Sequence, residues 1–246
     1  MDINYKEFKI LRRGETGWGG LIEHDAGYIS PNEPRNQPFI KTLNETIDFN
    51  GTKTNKINIV EPLIVYVVLQ KYGVLNRNGR VYPEAILKKQ NEIYQQAIRE
   101  RRAVGELDHP ESSVIAGDRI SHNIIETWWE GHTLMGKMEI IMTPGFINLG
   151  IVSTKGDEVA NLLRNRIMIG VSSRGVGSLV EGRNGEQIVQ DDFEIICWDV
   201  VTAPSTPGSW IFKSKEEARP FVEGTEVKTP LIKENLKDNL DKFLSY

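Results

Sequence analysis

Three polar residues sit in surroundings that suit acyl-transfer chemistry. His109 lies in Gly105-Glu106-Leu107-Asp108-His109-Pro110. The proline biases His109 toward an extended backbone and ends any helix there. An imidazole among turn residues at the end of an element can face a cleft, although an ordinary loop histidine has the same neighbours. In Val171-Ser172-Ser173-Arg174-Gly175-Val176-Gly177-Ser178, two hydroxyls and an arginine interrupt an apolar run and small residues follow. Small residues let a substrate backbone approach, and glycine amides can aim at a developing oxyanion. An edge strand with a bulge would use the same composition. Asp199 lies in Phe193-Glu194-Ile195-Ile196-Cys197-Trp198-Asp199-Val200-Val201, where strand parity puts it on one face with Phe193, Ile195, Cys197 and Val201. A carboxylate there is costly unless it is paired or hydrogen-bonded. A histidine would complete a base-orienting pair, whereas Arg174 would make a structural one.

Other chemistries are poorly served. The chain has no Gly-x-Ser-x-Gly elbow, no His-Glu-x-x-His, no Cys-x-x-Cys and no phosphate-cradling Gly-x4-Gly-Lys loop. Four histidines and one cysteine argue against a structural zinc site, so neither metal nor organic cofactor is expected. Cys197 has apolar strand neighbours and reads as a buried, inert thiol. His24 in a glycine-rich loop, His122 at a strand start and His132 at a hairpin tip are weaker candidates than His109.

The elements that must position these residues are mostly strands. Ile57 to Leu69 is dense in β-branched residues and reads as a buried strand. Asn76-Arg77-Asn78-Gly79-Arg80 reads as a turn, and Pro83 as the first residue of a helix reaching about Arg102. Ile86, Leu87, Ile93, Tyr94, Ala97 and Ile98 form its packing stripe. Ile120 to Met142 predicts a hairpin turning at Glu130-Gly131 and carrying Trp128 and Trp129, an aromatic pair suited to a core. Asp157 to Arg166 suits a short helix with charges that complement its dipole. Ile167 to Leu179 and Phe193 to Val201 read as strands around a polar tip, Glu181 to Gly185. Residues 1–55 read as an irregular or loosely tied arm, 56–213 as the folded domain and 214–246 as a flexible tail.

Bulk properties narrow the function classes. The chain has 246 residues, 39% hydrophobic and 26% charged, enough to bury a sizeable core without staples. A formal net charge of -4 and no long basic run give nucleic acid no electrostatic footprint. The longest apolar stretch, Leu63 to Leu69, is too short to span a bilayer, and the first eleven residues lack the pattern of a signal peptide. A single cysteine excludes an internal disulfide and fits a reducing interior.

Four segments in order carry a family resemblance. Asn76-Arg77-Asn78-Gly79-Arg80-Val81-Tyr82-Pro83, Gly105 to Pro110, Gly170 to Ser178, and Trp198-Asp199-Val200-Val201 with Pro204-Ser205 resemble the prohead proteases of tailed phages. Trp128-Trp129 takes the place of an aromatic pair between the histidine and serine blocks. The match covers about residues 60 to 212. It implies an α+β, β-rich assemblin-like fold: a closed or nearly closed β-barrel ringed by a few helices. By the same resemblance Ser172 is the nucleophile and His109 the base. The third member falls in the strand where herpesvirus relatives carry a second histidine; here the residue is Asp199. Parity alone permits either serine, since adjacent residues point to opposite faces. Ser173, Arg174 and Gly175 are the expected oxyanion and substrate-binding residues.

The resemblance further implies cleavage after glutamate with an aliphatic residue two positions earlier. Leu21-Ile22-Glu23, Leu43-Asn44-Glu45 and Ile232-Lys233-Glu234 fit that pattern within the arms; Ile124-Ile125-Glu126 and Leu179-Val180-Glu181 fit it within expected strands. Arg174, Arg119 and Arg80 are the candidate cations for a glutamate pocket. The implied partners are phage scaffold or core proteins and the major capsid protein, as substrates inside the assembling prohead in the host cytoplasm. The resemblance also implies self-association into a homo-oligomer, and neither nucleic acid nor membrane as partner. Two alternatives stand beside this reading. One is an inactive capsid or scaffold protein of the same fold; the other is a β-barrel hydrolase using Asp108 and Asp199 as paired carboxylates.

Overall fold

The computed structural model describes residues 9–23 and 62–222. One five-stranded sheet is built on β7 (Gly170–Glu181). Antiparallel neighbours β1 (Gly17–Ile22), β8 (Gln187–Val189) and β9 (Glu194–Val201) pair with it, and β3 (Arg80–Val81) runs parallel to β8. The other sheet has the order β10 (Ile211–Phe212), β2 (Leu63–Lys71), β6 (Thr133–Ile140), β5 (Ile120–Glu130), β4 (Val104–Glu106). Isolated bridges join the two sheets at Leu107 to Val200 and at Gly170 to Trp210. The architecture is α+β and strand-rich, as expected, but among the described residues the strands form two sheets and no closed barrel is found.

The main core lies where the sheets face each other. Val65, Val67 and Leu69 meet Ile124, Leu134 and Met138 on one side and Val171, Trp198 and Val200 on the other. Helix α1 (Glu84–Arg99) closes this core with Tyr94, whose ring meets Trp198 edge-on at 4.6 Å. Pro83 is its N-cap rather than its first helical residue, and Ile93, expected on the buried stripe, is exposed. Polar Gln90 and Asn91 are buried instead, because each has a partner on the sheets: Gln90 Oε1 accepts from Ile195 N–H, and Asn91 Oδ1 from the Thr127 hydroxyl.

The β5–β6 hairpin forms as expected, with Trp128 against Tyr66 and Trp129 against Tyr72. Helix α2 (Pro144–Leu149) was not legible in the pattern; two turns carry too little periodicity. Helix α3 (Lys155–Arg164) starts two residues before the expected Asp157 because Thr154 caps it. The Asp157 carboxylate returns the bond to Thr154 N–H and also accepts from Thr143 and Ser153.

Both ends carry ordered elements where loose chain was expected. Part of the arm expected to be irregular is β1, paired with β7 over six residues. Helix α4 (Lys215–Val222) occupies the start of the expected tail and buries Ala218, Phe221 and Val222 against Val68, Met135, Trp210 and Phe212. Its composition is polar overall, and only three of eight residues reveal the packed face. The expected strand residues 57–61 and the stretch 223–246 lie outside the described residues.

Candidate active site

His109 is delivered to the sheet by the chain that leaves β4. Leu107 bridges Val200 in parallel, Asp108 N–H donates to Val200 C=O at 2.9 Å, and Asp108 turns through a left-handed backbone (φ 69°). Aspartate tolerates that conformation better than most residues. His109 Nδ1 then meets Asp199 Oδ2 at 2.6 Å, with both side chains buried. Asp199 Oδ1 accepts from Glu106 N–H at 2.9 Å and from Arg174 Nη2 at 3.1 Å. The histidine and arginine readings of Asp199 are therefore both realised: His109 meets Oδ2, and Arg174 spans both oxygens, with Nε 3.0 Å from Oδ2. Burial works to raise the Asp199 pKa, but the bond from His109, the histidine's charge, Arg174 and the Glu106 amide outweigh it and hold the carboxyl below its ordinary range.

Glycine at 105 is required by this approach. A Cβ there would lie 2.0 Å from Trp198 C=O and 2.5 Å from His122 Nε2. His122 itself is structural: fully buried, it donates from Nε2 to Trp198 C=O at 2.9 Å, and its Nδ1 lies 2.9 Å from the Ser121 hydroxyl. Burial lowers its pKa to about 4, so it is neutral near pH 7.

Ser172 stands directly opposite Asp199 in the β7–β9 register, and Ser173 opposite Trp198. Directly opposed residues project to the same face, with Cβ atoms about 5 Å apart. Ser172, Asp199 and His109 are thus collected on one side of the sheet, while Ser173 faces the other way. The register slips between Arg174 and Gly175, so the bulge reading of this segment also holds, in a strand paired on both edges. Arg174 is buried; besides Asp199 it donates to Ser112 C=O and Cys197 Sγ and lies 3.4 Å from Glu106. Its guanidinium serves as a clamp on the buried carboxylates. Gly175 gives room to Phe193, whose ring would sit 2.5 Å from a Cβ there. Burial pushes the Cys197 thiol well up, in keeping with an inert residue. His132 packs its ring against Tyr72 at the hairpin tip, Arg119 lies 3.6 Å from Glu106, and His24 falls outside the described residues.

A second polar cluster adjoins Ser172, and its centre, Glu23, is a residue that motif reading placed in a loose arm. The Ser172 hydroxyl donates to Glu23 C=O, and Glu23 N–H donates to Ser173 C=O at 3.1 Å. The Glu23 carboxylate is fully buried and accepts five hydrogen bonds. Oε1 takes Arg80 Nη1 and the Tyr82 hydroxyl at 2.7 Å each; Oε2 takes Asn76 Nδ2 at 2.7 Å, Asn78 Nδ2 at 2.8 Å and the Ser205 hydroxyl at 2.9 Å. Burial works to raise its pKa, yet the Arg80 charge and the bonds from Arg80, Tyr82 and Asn78 hold it below the usual carboxylate range. The cradle is preformed by the turn: Asn76 Oδ1 accepts from Asn78 and Arg80 N–H, Gly79 takes φ 77°, and Arg77 N–H ties the loop to Ser205 C=O. Of the three cations expected for a glutamate pocket, Arg80 meets Glu23, while Arg174 and Arg119 lie beside Glu106. The signal was present in sequence, since Asn76 to Tyr82 and Pro204-Ser205 belong to the ordered blocks.

Among the described residues no cluster of three or more His, Cys, Asp or Glu could hold a metal ion, and no helix is long and apolar enough to cross a membrane.

Known proteins bear on this arrangement. The chain is 31% identical over 151 residues to the prohead core protein protease of Enterobacteria phage T4, covering 61% of this chain and 68% of that one. The structure of the bacteriophage T4 capsid assembly protease, gp21, superposes with a TM-score of 0.53 at 27% identity, over 61% of this chain and 89% of that one. Residues 38–219 match the family described as prohead core protein serine protease, and those residues include His109, Ser172, Asp199 and the whole cradle around Glu23. With more than half its length matched, the chain belongs to the prohead core protein serine protease family.

Proposed function

We propose that this chain is a serine endopeptidase that cuts scaffold or core proteins and the major capsid protein after glutamate inside an assembling phage head, in the host cytoplasm. Family membership supports the peptidase and its place in head assembly. The observation that carries the residue roles is the β7–β9 register, which sets Ser172 opposite the carboxylate that holds His109.

In this reading Asp199 keeps the Nδ1 proton of His109 engaged and leaves Nε2 as the base. His109 takes the Ser172 hydroxyl proton as Oγ attacks the substrate carbonyl, then passes it to the leaving amine; water deprotonated by the same imidazole opens the acyl-enzyme. Backbone amides of the Arg174–Gly175 bulge are the proposed oxyanion donors, at the register slip in the β7–β9 pairing. Ser173 lies toward the carboxylate cradle, near Tyr82, and is a substrate-binding residue in this scheme. The preference for glutamate has its support in the cradle itself. Co-expression with a glutamate-rich scaffold protein tests the assignment, with products read by mass spectrometry. His109→Ala and Ser172→Ala should abolish cleavage and Ser173→Ala should only weaken it. Undiminished cleavage by both serine variants would overturn the serine mechanism.

A further inference from the structure

We propose that Glu106 is a positioning residue for the reaction: its carboxylate offsets the charge of Arg174, so that Asp199 stays available to the imidazolium that forms on His109. This inference rests on the serine-protease reading above.

Glu106 ends β4 and touches both halves of the site. Its N–H donates to Asp199 Oδ1 at 2.9 Å, and its side chain is fully buried. The β4–β5 register slips between Gly105 and Glu106, so the regular pleat does not dictate where this side chain points. Bulges beside active sites re-aim side chains in this way. Oε1 accepts from Ala116 N–H, ten residues on, and closes the loop that carries His109. Oε2 lies 3.4 Å from Arg174 Nη2 and 3.6 Å from Arg119 Nε, and has no hydrogen bond among the described residues. A buried carboxylate oxygen left without a bond is a cost to the fold. Stability alone therefore does not explain an acid at position 106.

The charges around His109 do explain it. Arg174 is buried and spans Asp199, with Nη2 3.1 Å from Oδ1 and Nε 3.0 Å from Oδ2. Alone, that guanidinium would neutralise the carboxylate on which His109 depends. When Ser172 gives up its proton, a second cation appears on His109, 2.6 Å from the same carboxylate. Two cations would then share one anion in a buried site, where charges interact more strongly than in water. With Glu106 beside Arg174, each cation has a carboxylate of its own. The benefit is larger in the transition state than in the resting enzyme, whose imidazole is neutral in this mechanism. Only such differences raise kcat.

No other neighbour supplies that negative charge. Arg119 adds a positive one, but its side chain is 37% exposed and screened by solvent. The Glu23 carboxylate is engaged by Arg80, and burial pushes the Cys197 thiol well up, which keeps it uncharged.

The test measures steady-state cleavage of a glutamate-containing peptide by the full-length chain, with near-UV circular dichroism to confirm the native core. Glu106→Gln keeps an acceptor for Ala116 N–H and removes the charge. Its kcat should fall about tenfold to a hundredfold, less than for loss of a direct oxyanion donor, with KM within about twofold. Ala116→Pro does the reverse: φ at Ala116 is -83°, close to what proline requires, so the amide donor goes and the charge stays. Its kcat should remain within about threefold of wild type. Glu106→Asp, which also keeps the charge, should turn over at least about fivefold faster than Glu106→Gln. Arg174→Gln closes a cycle, because the charge that Glu106 offsets is then absent. The double variant should exceed the product of the two single losses by at least about fivefold. A folded Glu106→Gln enzyme with unchanged kcat would overturn the proposal, as would equal losses in Glu106→Gln and Ala116→Pro, or losses that simply multiply in the cycle. Should Glu106→Gln not fold, Glu106→Asp working more than about tenfold below Ala116→Pro would sink it instead. Peptide cleavage that survives Ser172→Ala would overturn the mechanism beneath it.

Discussion

Asp199→Asn, read beside Ser172→Ala, tests the orienting role of the Asp199 carboxylate. Asp199 Oδ1 faces two N–H donors, Glu106 N–H at 2.9 Å and Arg174 Nη2 at 3.1 Å, while Oδ2 lies 2.6 Å from His109 Nδ1 and 3.0 Å from Arg174 Nε. An asparagine must keep its carbonyl oxygen toward the two donors, because an amide NH2 there would meet N–H groups. Its NH2 is then presented to His109 Nδ1, which must accept. That places the imidazole proton on Nε2, where it blocks removal of the serine proton. The same tautomer error in a chymotrypsin-type triad lowers kcat about 10⁴-fold, which corresponds to about 5.4 kcal/mol of transition-state stabilisation. The expected outcome is a loss of that order in kcat with little change in KM. The fold should hold, since Arg174 keeps its ion pair with Glu106. The assay is steady-state cleavage of a glutamate-containing peptide, with near-UV circular dichroism to confirm the native core. A folded Asp199→Asn enzyme working within about threefold of wild type would refute the orienting role. A hydrolase using Asp108 and Asp199 as its working carboxylates would lose activity in Asp199→Asn too, but would keep it in Ser172→Ala.

Other parts of the structure make independent predictions. His122 has a folded pKa of about 4 against about 6.5 unfolded, so the unfolded chain binds the extra proton first; stability should fall as pH drops from about 6.5 to about 4, by about 3 kcal/mol at most. A His122→Gln variant, if it folds, should flatten that slope in denaturant titrations at pH 7 and pH 4.5; an unchanged slope would contradict the neutral buried histidine. Asp157 is held at a pKa of about 2 by Thr143 and Ser153 against the effect of burial, so Asp157→Ala should lower stability by about 2–4 kcal/mol, read as a lower urea midpoint. Arg80→Met should lower kcat/KM for a glutamate peptide far more than for its glutamine counterpart, because it removes the one cation of the cradle. Equal losses for the two peptides would show that Arg80 is only a structural support.

The parts of the site legible in sequence were those that break a local rule. Ser172 and Asp199 are polar interruptions of apolar strands, and His109 precedes a proline at the end of an element, so each drew notice alone. Their union depends on contacts that no local pattern encodes: Glu106 N–H reaches Asp199 across 93 positions, and the Ser172 hydroxyl reaches Glu23 across 149. Gly105 looked like turn composition, yet its reason is a neighbouring strand 2.0 Å from where a side chain would begin. Glu23 was legible only as one of several matches to a short cleavage pattern. Nothing in its neighbours says that five donors far along the chain close around it. The hairpin and main strands were readable because alternation extends over eight or more residues. β3, β8, β10 and α4 escaped because two to eight residues do not establish a period.

The pairing of β1 with β7 carries a cost that shows only when it is lost. With residues 17–23 gone, β7 would present a row of unsatisfied amides and carbonyls beside Ser172, and bare sheet edges recruit whatever strand is near. Such an edge can bind only chain that is already unfolded enough to lie flat along it. Tightly folded parts of shell subunits would be spared by their shape, whereas pliable segments of shell and scaffold proteins alike would be consumed. The same bare edge would also accept a second copy of the enzyme. Crowding inside a closed shell would then set two uses of one surface in competition, digestion and self-pairing, with their balance shifting as the unfolded material is used up.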